Sequence, residues 1–251
     1  MSKIEFYKER YSDVVGFFDE NDMFVWDFLF RQQAHLGASG GYLEIGIYRG
    51  KSALFGALNM GQDEPVALVD CSGDAVDYVI RMISEFHPEN NIGIHAWSRK
   101  LKTHRNLMNM HHGFRFAHID GDHTGYSLIN DLEATADLVS DFGIIALDDF
   151  MNPCYPQLTA AAYHFLFKNQ FEWKMVLNAS AKCYLVRAHA HAAYDKLIRE
   201  RMPAELEEKN IALTLRRTSF ANDFGCFSLV RPDPSGRKLL GMDSDVDFIP
   251  Y

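Results

Sequence analysis

The sequence of 251 residues predicts an α/β protein with a doubly wound, mostly parallel sheet. Between residues 41 and 187, short apolar segments alternate with helix-length segments, which is typical of parallel strands covered on both faces. Carboxylates or glycines follow several of these strands, where the ligands of such sheets bind. A hairpin pattern around Asn178-Ala-Ser-Ala follows the last alternating unit. Together these observations predict seven strands.

Residues 1–40 precede the sheet and are predicted to be helical. An apolar run follows Asp22, which we predict to be the N-cap of a helix; the run contains Met23, Phe24, Trp26, Phe28 and Leu29. The glycine-rich segment Gly37-Ala-Ser-Gly-Gly41 ends it. We expect the aromatic side chains of this segment to pack in the core, and the alternative is that they cover the ligand site or form an oligomer contact; they are Phe17, Phe18, Phe24, Trp26 and Phe28.

Residues 41–187 are predicted to form the ligand-binding domain. The predicted strands are Tyr42–Gly46, Val66–Asp70, Ile92–Ala96, Arg115–Asp120 and Ile144–Asp148, then Phe171–Leu177 and Cys183–Val186. The predicted helices are Ser52–Asn59, Ala75–Phe86, Leu101–Met110, Leu128–Val139 and Thr159–Phe167. Residues 188–251 are expected to be an α+β extension packed on the same domain. Its predicted elements are the helix Ala193–Arg201 and the strands Ala212–Arg217 and Cys226–Val230.

The composition argues against several classes of partner. A formal net charge of −9 disfavours binding to nucleic acids or anionic membranes, which requires clustered lysine and arginine. No apolar run is long enough to span a bilayer, and the first residues do not resemble a secretion signal. Four widely spaced cysteines without a C-x-x-C pair are expected to be reduced thiols. We therefore expect a cytoplasmic protein with neither a nucleic-acid nor a membrane partner.

The segment Glu44-Ile-Gly46-Ile-Tyr-Arg-Gly50-Lys-Ser52 joins the first predicted strand to the next helix. Glycines in such a turn let a ligand approach the backbone, and the helix N-terminus attracts an anion. The glycine spacing differs from the G-x-G-x-x-G of dinucleotide-binding folds, which makes a Rossmann dehydrogenase a weaker alternative. Asp70 ends the second strand, where a carboxylate can accept hydrogen bonds from both hydroxyls of a ribose. A tight structural turn with a surface aspartate is the alternative interpretation.

Carboxylates also end two later strands. Asp120 follows one apolar strand, the pair Asp148-Asp149 follows the next, and the interval between them accommodates one helix and one return strand. Clustered carboxylates repel one another, so a cation or several hydrogen-bond donors should accompany them. Oxygen ligands favour a hard divalent ion, Mg²⁺ first. These aspartates could instead cap loops without a metal.

These motifs resemble those of class I S-adenosylmethionine-dependent methyltransferases over residues 40–187. The Asp120-Gly-Asp-His123 segment with Asp148-Asp149 is most similar to the metal-dependent O-methyltransferases of the macrocin O-methyltransferase family. The resemblance implies that Asp120, Asp148 and Asp149 converge beside the methyl group and bind the metal, and that His123 is the base. It also implies a cofactor site made of Glu44, Gly46, Gly50, Ser52, Asp70, Trp97, Ser98 and Asp120.

The chain departs from this family's pattern at three positions. Asp149 replaces the asparagine of catechol-type enzymes, and Ser140-Asp-Phe-Gly143 replaces a Lys-Pro-Gly-Gly turn. Ala96-Trp97-Ser98 stands where the family has Gly-Asp-Ser, so the usual acidic contact to adenine is missing. Trp97 could stack on the adenine instead.

The predicted function is metal-dependent O-methylation of a small-molecule hydroxyl, on a vicinal diol, a sugar or a catechol-like ring. Bidentate metal binding favours two adjacent hydroxyls on the acceptor. One alternative is a metal-independent O- or N-methyltransferase of small molecules. The other is a catalytically silent, methyltransferase-like subunit that uses residues 188–251 for interaction. A homo-oligomer is consistent with the family resemblance.

Overall fold

The computed structural model describes residues 1–217 and 226–232. Its strands are β1 Gly41–Ile45, β2 Val66–Asp70, β3 Asn91–His95, β4 Phe114–Ile119, β5 Val139–Leu147, β6 Trp173–Ala179, β7 Lys182–Arg187, β8 Thr214–Arg217 and β9 Phe227–Val230. Its α-helices are α1 Lys3–Tyr11, α2 Glu20–His35, α3 Lys51–Leu58, α4 Gly73–Ser84, α5 Arg105–Met108, α6 Gly125–Ala136, α7 Pro156–Lys168 and α8 Ala188–Glu208. A 3₁₀-helix spans Ser98–Thr103.

The described strands form one sheet in the order β3-β2-β1-β4-β5-β7-β6-β9-β8. Strands β1 to β5 are parallel, and β7 runs antiparallel between β5 and β6. The α/β doubly wound class is confirmed, but the sheet has nine strands rather than seven. The two strands predicted in the extension join it, because β9 pairs with the open edge of β6 and β8 then pairs with β9.

The core lies on both faces of this sheet because its central strands are buried on both sides. Every residue of β1 and β4 is buried, and alternate residues face opposite layers. Tyr42 and Phe116 belong to the layer with α2, α3 and α8, whereas Leu43 and Ala117 belong to the layer with α6 and α7. Four of the N-terminal aromatic residues, Phe18, Phe24, Trp26 and Phe28, pack in the core as expected, and the Trp26 ring centroid lies 4.8 Å from those of Phe18 and Phe116. The expectation is wrong for Phe17, whose side chain is 99% exposed.

Three predicted local features are wrong. Asp19, not Asp22, caps α2: its side chain accepts hydrogen bonds from the backbone N–H groups of Asn21 and Asp22. Asp22 is the third helical residue and completes a capping box by accepting from Asp19 N at 2.9 Å. The single helix predicted over Leu101–Met110 is instead the 3₁₀-helix followed by the one-turn helix α5, because His104 has an extended backbone (ψ 91°). Helix α8 continues through Pro203, well beyond its predicted end at Arg201.

Candidate active site

The loop after β1 brings the carboxyl ends of β1 and β4 into close contact. Gly46 has a φ of 81°, and a Cβ atom there would lie 1.9 Å from the carbonyl oxygen of Asp120. Gly50 has a φ of 85° and caps α3, and its missing Cβ leaves room for Val79 of α4. Only glycine fits both the conformation and the space at these positions. The loop is therefore rigid and closely packed against β4.

A cavity of 700 Å³ opens where the carboxyl ends of β1, β2 and β4 meet. Its volume lies in the range of about 300–1,000 Å³ that is usual for small-molecule sites. The sequence-predicted residues that line it are Gly46, Asp70, Trp97, Ser98, Asp120 and His123. Sequence analysis did not single out Tyr48 and Arg49, which line the same wall within the glycine loop.

Asp70 ties the glycine loop to the end of β2. Its carboxylate accepts one hydrogen bond from the Ile47 backbone N–H at 3.0 Å and one from the Ser72 backbone N–H at 2.8 Å. A carboxylate has about four acceptor positions, so two remain for a ligand in the cavity. At the other end of the cavity, the Trp97 side chain is half-exposed beneath the guanidinium of Arg99, 5.4 Å from its ring centroid.

A second cavity, of 1170 Å³, lies on the other side of the same strand ends. Three parts of the chain contribute to its walls. Phe17 of the N-terminal segment is exposed, Lys182 of β7 is buried, and Arg231 follows β9. Tyr48, Asp120 and His123 line both cavities. The two spaces therefore meet at these three side chains.

His123 lies between two carboxylates at this junction. Its Nε2 atom is 3.5 Å from Asp120 Oδ1 and 3.3 Å from Asp149 Oδ2, and its ring packs on Tyr155. Asp120, followed by Asp149, outweighs the effect of burial and raises the pKa of His123. Asp149 adopts a left-handed conformation (φ 54°), and the side-chain amide of Asn152 donates to its Oδ1 at 2.6 Å. The turn after β5 thus aims Asp149 at His123.

A buried chain of charged groups lies behind this junction. The His118 ring has Nδ1 2.9 Å from Glu44 Oε1 and Nε2 3.4 Å from Asp148 Oδ2. The Lys182 ammonium lies 3.0 Å from Asp148 Oδ2 and 3.4 Å from Asp22 Oδ1. The chain thus runs from β1 through β4, β5 and β7 to the first turn of α2.

These pairings fix the protonation states of the chain. Burial lowers the pKa of His118, but Glu44 and Asp148 outweigh it and raise the pKa to about 10. Burial would raise the pKa of Asp148, but His118 and Lys182 hold it well below its ordinary value. Burial raises the pKa of Asp22 to about 6 against the opposing effect of Lys182. Two positive charges therefore compensate the buried carboxylates.

Comparison with known protein families identifies the kind of domain that contains this site. Residues 43–150, which include both the glycine loop and Asp148-Asp149, match the methyltransferase domain family. The chain carries an S-adenosylmethionine-dependent methyltransferase domain. No curated protein sequence matches the chain.

Solved structures support the methyltransferase fold. The TDP-rhamnose 3'-O-methyltransferase CalS11 is 16% identical, with a TM-score of 0.57 over 74% of this chain and 86% of that one. The O-methyltransferase NovP is 16% identical, with a TM-score of 0.54 over 66% and 80%. The Bacillus cereus O-methyltransferase in complex with SAH is 15% identical, with a TM-score of 0.51 over 74% and 90%.

The other predicted site residues of this methyltransferase domain lie outside the first cavity. Glu44 is fully buried and accepts hydrogen bonds from the hydroxyls of Tyr42 and Ser52. Ser52 lines the second cavity, as do Asp148 and Asp149. Gly50 lies beneath the loop against α4. The predicted contacts of Glu44, Gly50 and Ser52 with the methionine part of the cofactor remain predictions.

The residues of this methyltransferase domain that could hold a metal fall into two overlapping sets. Donor atoms of Asp120, His123 and Asp149 lie within 4.8 Å of one another, and so do those of His118, Asp120 and Asp148. Both ring nitrogens of His118 already face carboxylates, Nδ1 that of Glu44 and Nε2 that of Asp148, which disfavours His118 as a ligand. The first set therefore fits a hard cation better, because Asp120 and Asp149 present carboxylates to the second cavity.

Sequence reasoning missed His118, Lys182 and the role of Asp22. The signal for His118 was its position inside an otherwise apolar strand, Phe116-Ala-His-Ile119, where a buried ionisable group requires partners. Lys182 carried a similar signal, since it opens β7 directly after the turn. No local pattern indicated that these residues meet, because their contacts connect distant segments of the chain.

Proposed function

We propose that the protein transfers a methyl group from S-adenosylmethionine to a hydroxyl oxygen of a small molecule. The observation that carries this proposal is the junction of the two cavities at Tyr48, Asp120 and His123. The 700 Å³ cavity would hold the cofactor and the 1170 Å³ cavity the acceptor. Methyl transfer requires the acceptor oxygen, the methyl carbon and the sulfur in line, and a shared opening permits that alignment.

The cofactor's parts match the chemistry of the first cavity. The glycine loop would receive the methionine carboxylate at Tyr48 and Arg49, which line the first cavity and lie just before the N-terminus of α3. Asp70 retains acceptor capacity for the ribose hydroxyls. Trp97 and Ser98, which follow β3, would lie beside the adenine. With this order, the sulfonium methyl group would face Asp120 and His123.

His123 is the group best suited to take the acceptor's proton. The acceptor oxygen forms a bond to the methyl carbon as the bond between carbon and sulfur breaks, which leaves S-adenosylhomocysteine. The Nε2–H of neutral His123 points at the carboxylates of Asp120 and Asp149, so the hydroxyl proton would move to the other ring nitrogen, Nδ1. Asp120 and Asp149 stabilise the imidazolium that results, because both carboxylates lie within 3.5 Å of Nε2.

A divalent cation, Mg²⁺ first, fits beside these residues. Asp120 and Asp149 would hold it, with Asp148 contributing only if it leaves Lys182. Such an ion, when bound, lowers the pKa of a coordinated hydroxyl. Acceptors with two adjacent hydroxyls, such as sugars or catechol-like rings, suit this arrangement. The similarity to a TDP-rhamnose 3'-O-methyltransferase supports a sugar hydroxyl.

The proposal is tested in two steps with the full-length protein. Calorimetric titration with S-adenosylhomocysteine should show binding in the micromolar range or tighter, and absence of binding would remove the cofactor site. Transfer of tritiated methyl groups is then measured over a panel of sugars and catechols. His123→Gln should reduce the turnover number by about 10²–10⁴-fold, whereas the control His111→Gln, remote from both cavities, should not.

Metal-independent transfer is the second candidate, favoured by one observation. His123 occupies the space between Asp120 and Asp149, and Lys182 already pairs with Asp148, so much of the negative charge is balanced. Treatment with EDTA separates the two candidates. Lost turnover that Mg²⁺ restores supports the metal, and undiminished turnover supports His123 acting with its carboxylates alone.

A further inference from the structure

Asp131 is a buried acid that the proposed mechanism leaves without a role. It lies on α6 and is 1% exposed, and within the described residues no backbone N–H group or charged side chain donates a hydrogen bond to its carboxylate. Burial raises the pKa of Asp131 to about 7, while the Ser98 side chain facing it has the opposite effect. The negative charge of Asp122 also raises the pKa of Asp131. Burying an ionisable carboxyl group costs free energy, so its presence here requires an explanation such as a ligand or a functional role.

Asp131 lies directly behind the wall of the cofactor cavity. Helix α6 packs on the 3₁₀-helix that begins at Ser98, and Ser98 and Gly121 both line that cavity. A Cβ atom on Gly121 would lie 3.2 Å from Asp131 Oδ2 and 3.8 Å from Ser98 Oγ. The missing side chain at Gly121 therefore keeps the space beside the carboxylate and the hydroxyl free.

We propose that Asp131 positions the Ser98 hydroxyl so that it accepts a hydrogen bond from the exocyclic amino group of the cofactor's adenine. This inference rests on the cofactor placement proposed above. An ionised carboxylate can only accept, whereas a hydroxyl has one donor and two acceptor positions. Ser98 therefore donates its proton to Asp131 and presents its lone pairs to the cavity. Asp131 is a positioning residue, since it acts on the cofactor through Ser98.

This arrangement distinguishes adenine from hypoxanthine. Adenine presents a donor at its amino group, whereas hypoxanthine presents a carbonyl oxygen, whose lone pairs would face those of Ser98. A site that leaves such a group unpaired rejects the wrong base. Trp97 stands where related enzymes have an aspartate that contacts adenine. Asp131 of helix α6 would supply a carboxylate in its place, acting through Ser98.

The experiment compares the binding of two probes, S-adenosylhomocysteine and S-inosylhomocysteine, by calorimetry at pH 8.5, where Asp131 is ionised. The wild-type protein should prefer the adenine compound about ten- to a hundredfold. Asp131→Asn should reduce this preference to about threefold or less, because an amide can donate to Ser98 and free its proton. Ser98→Ala should lose the preference as well. Glu133→Gln, at a half-buried position of the same helix where the side chain pairs with Lys102 and Lys168, should retain it.

Each outcome is decisive. An unchanged preference in Asp131→Asn overturns the inference and leaves the cofactor site intact. Equal weakening of both probes in that variant indicates a purely structural role and also overturns it. Failure of the wild-type protein to bind S-adenosylhomocysteine removes the cofactor placement and this inference with it. Ser98→Ala provides the same test if Asp131→Asn does not fold.

Discussion

Replacing Asp131 by asparagine should make the protein more stable at neutral and alkaline pH. In the folded protein, burial raises the pKa of Asp131 from 3.8 to about 7. Between these two values the folded protein holds a proton that the unfolded chain has released. Stability therefore falls as the pH rises through this interval, and the loss is complete once the pH exceeds the folded pKa. Asparagine has no proton to lose and escapes this cost.

The size of the effect follows from the difference between the two pKa values. At about 1.4 kcal/mol for each pKa unit, ionisation of Asp131 costs on the order of 4 kcal/mol above pH 7. Roughly 2.5 kcal/mol of this falls between pH 5 and pH 8. The free energy of unfolding of Asp131→Asn should therefore gain about that amount relative to the wild-type protein across this range.

Urea unfolding followed by circular dichroism at pH 5, 6, 7 and 8, without cofactor, measures this difference. Glu133→Gln is the matched control on the same helix. Lys102 and then Lys168 lower the pKa of Glu133 to about 2, so its contribution is lost only in acid and stays constant over the measured range. If the wild-type protein and Asp131→Asn differ by the same free energy at every pH, the carboxyl is not buried as described.

Three further substitutions test other parts of the structure. Gly46→Ala should abolish binding of S-adenosylhomocysteine in calorimetry, because a Cβ atom would lie 1.9 Å from the Asp120 carbonyl oxygen at a φ of 81°. Lys182→Met should lower the free energy of unfolding in urea by about 3–5 kcal/mol, because it leaves Asp148 and Asp22 without their cation. Phe17→Ser should raise the KM for the acceptor without changing the melting temperature, because Phe17 is 99% exposed on the acceptor cavity.

Each of these predictions has a control and a contrary result. Gly37→Ala, remote from the cavity and with no atom within 4 Å of its added Cβ, should bind the cofactor product normally. Full binding by Gly46→Ala would refute the close approach. Asp22→Asn should cost less in Lys182→Met than in the wild-type protein, and strict additivity would argue against the ion pair. A lower melting temperature for Phe17→Ser would assign that side chain to the core.

The regular pattern of strands and acids made most of the fold predictable. Strand β2 has its predicted bounds, Val66–Asp70, because a run of apolar residues ends abruptly at an acid. The apolar spacing of Leu101–Met110 suits a helix, yet the extended backbone at His104 divides it. Helix α8 continues past its predicted end at Arg201 and through Pro203, because its apolar residues remain buried on both sides of that proline.

The site was predictable where it depends on strand ends and hidden where it depends on long-range pairing. Gly46, Asp70 and Asp120 follow strands that share one edge, so their proximity follows from the topology. The contact between Lys182 and Asp148 depends on β7 lying next to β5, with a two-residue turn at Ser180 and Ala181 directing Lys182 inward. The apolar periodicity of one strand does not indicate which distant strand lies next to it.

The two cavities draw on different parts of the chain, and this division has an evolutionary consequence. The cofactor cavity is built from residues 45–123, within a single continuous stretch of alternating strands and helices. Much of the second cavity comes from the two flanks of that stretch: residues 7–23 on one side, and Ser180, Ala181, Lys182, Leu213, Leu229 and Arg231 on the other. Under the proposed function, substitutions in the flanks would change which molecule is methylated and would leave the binding site of the methyl donor unchanged. The two flanking segments can therefore diversify while the central domain stays the same. Transferring both flanks from one such protein to the central domain of another offers a route to new acceptors.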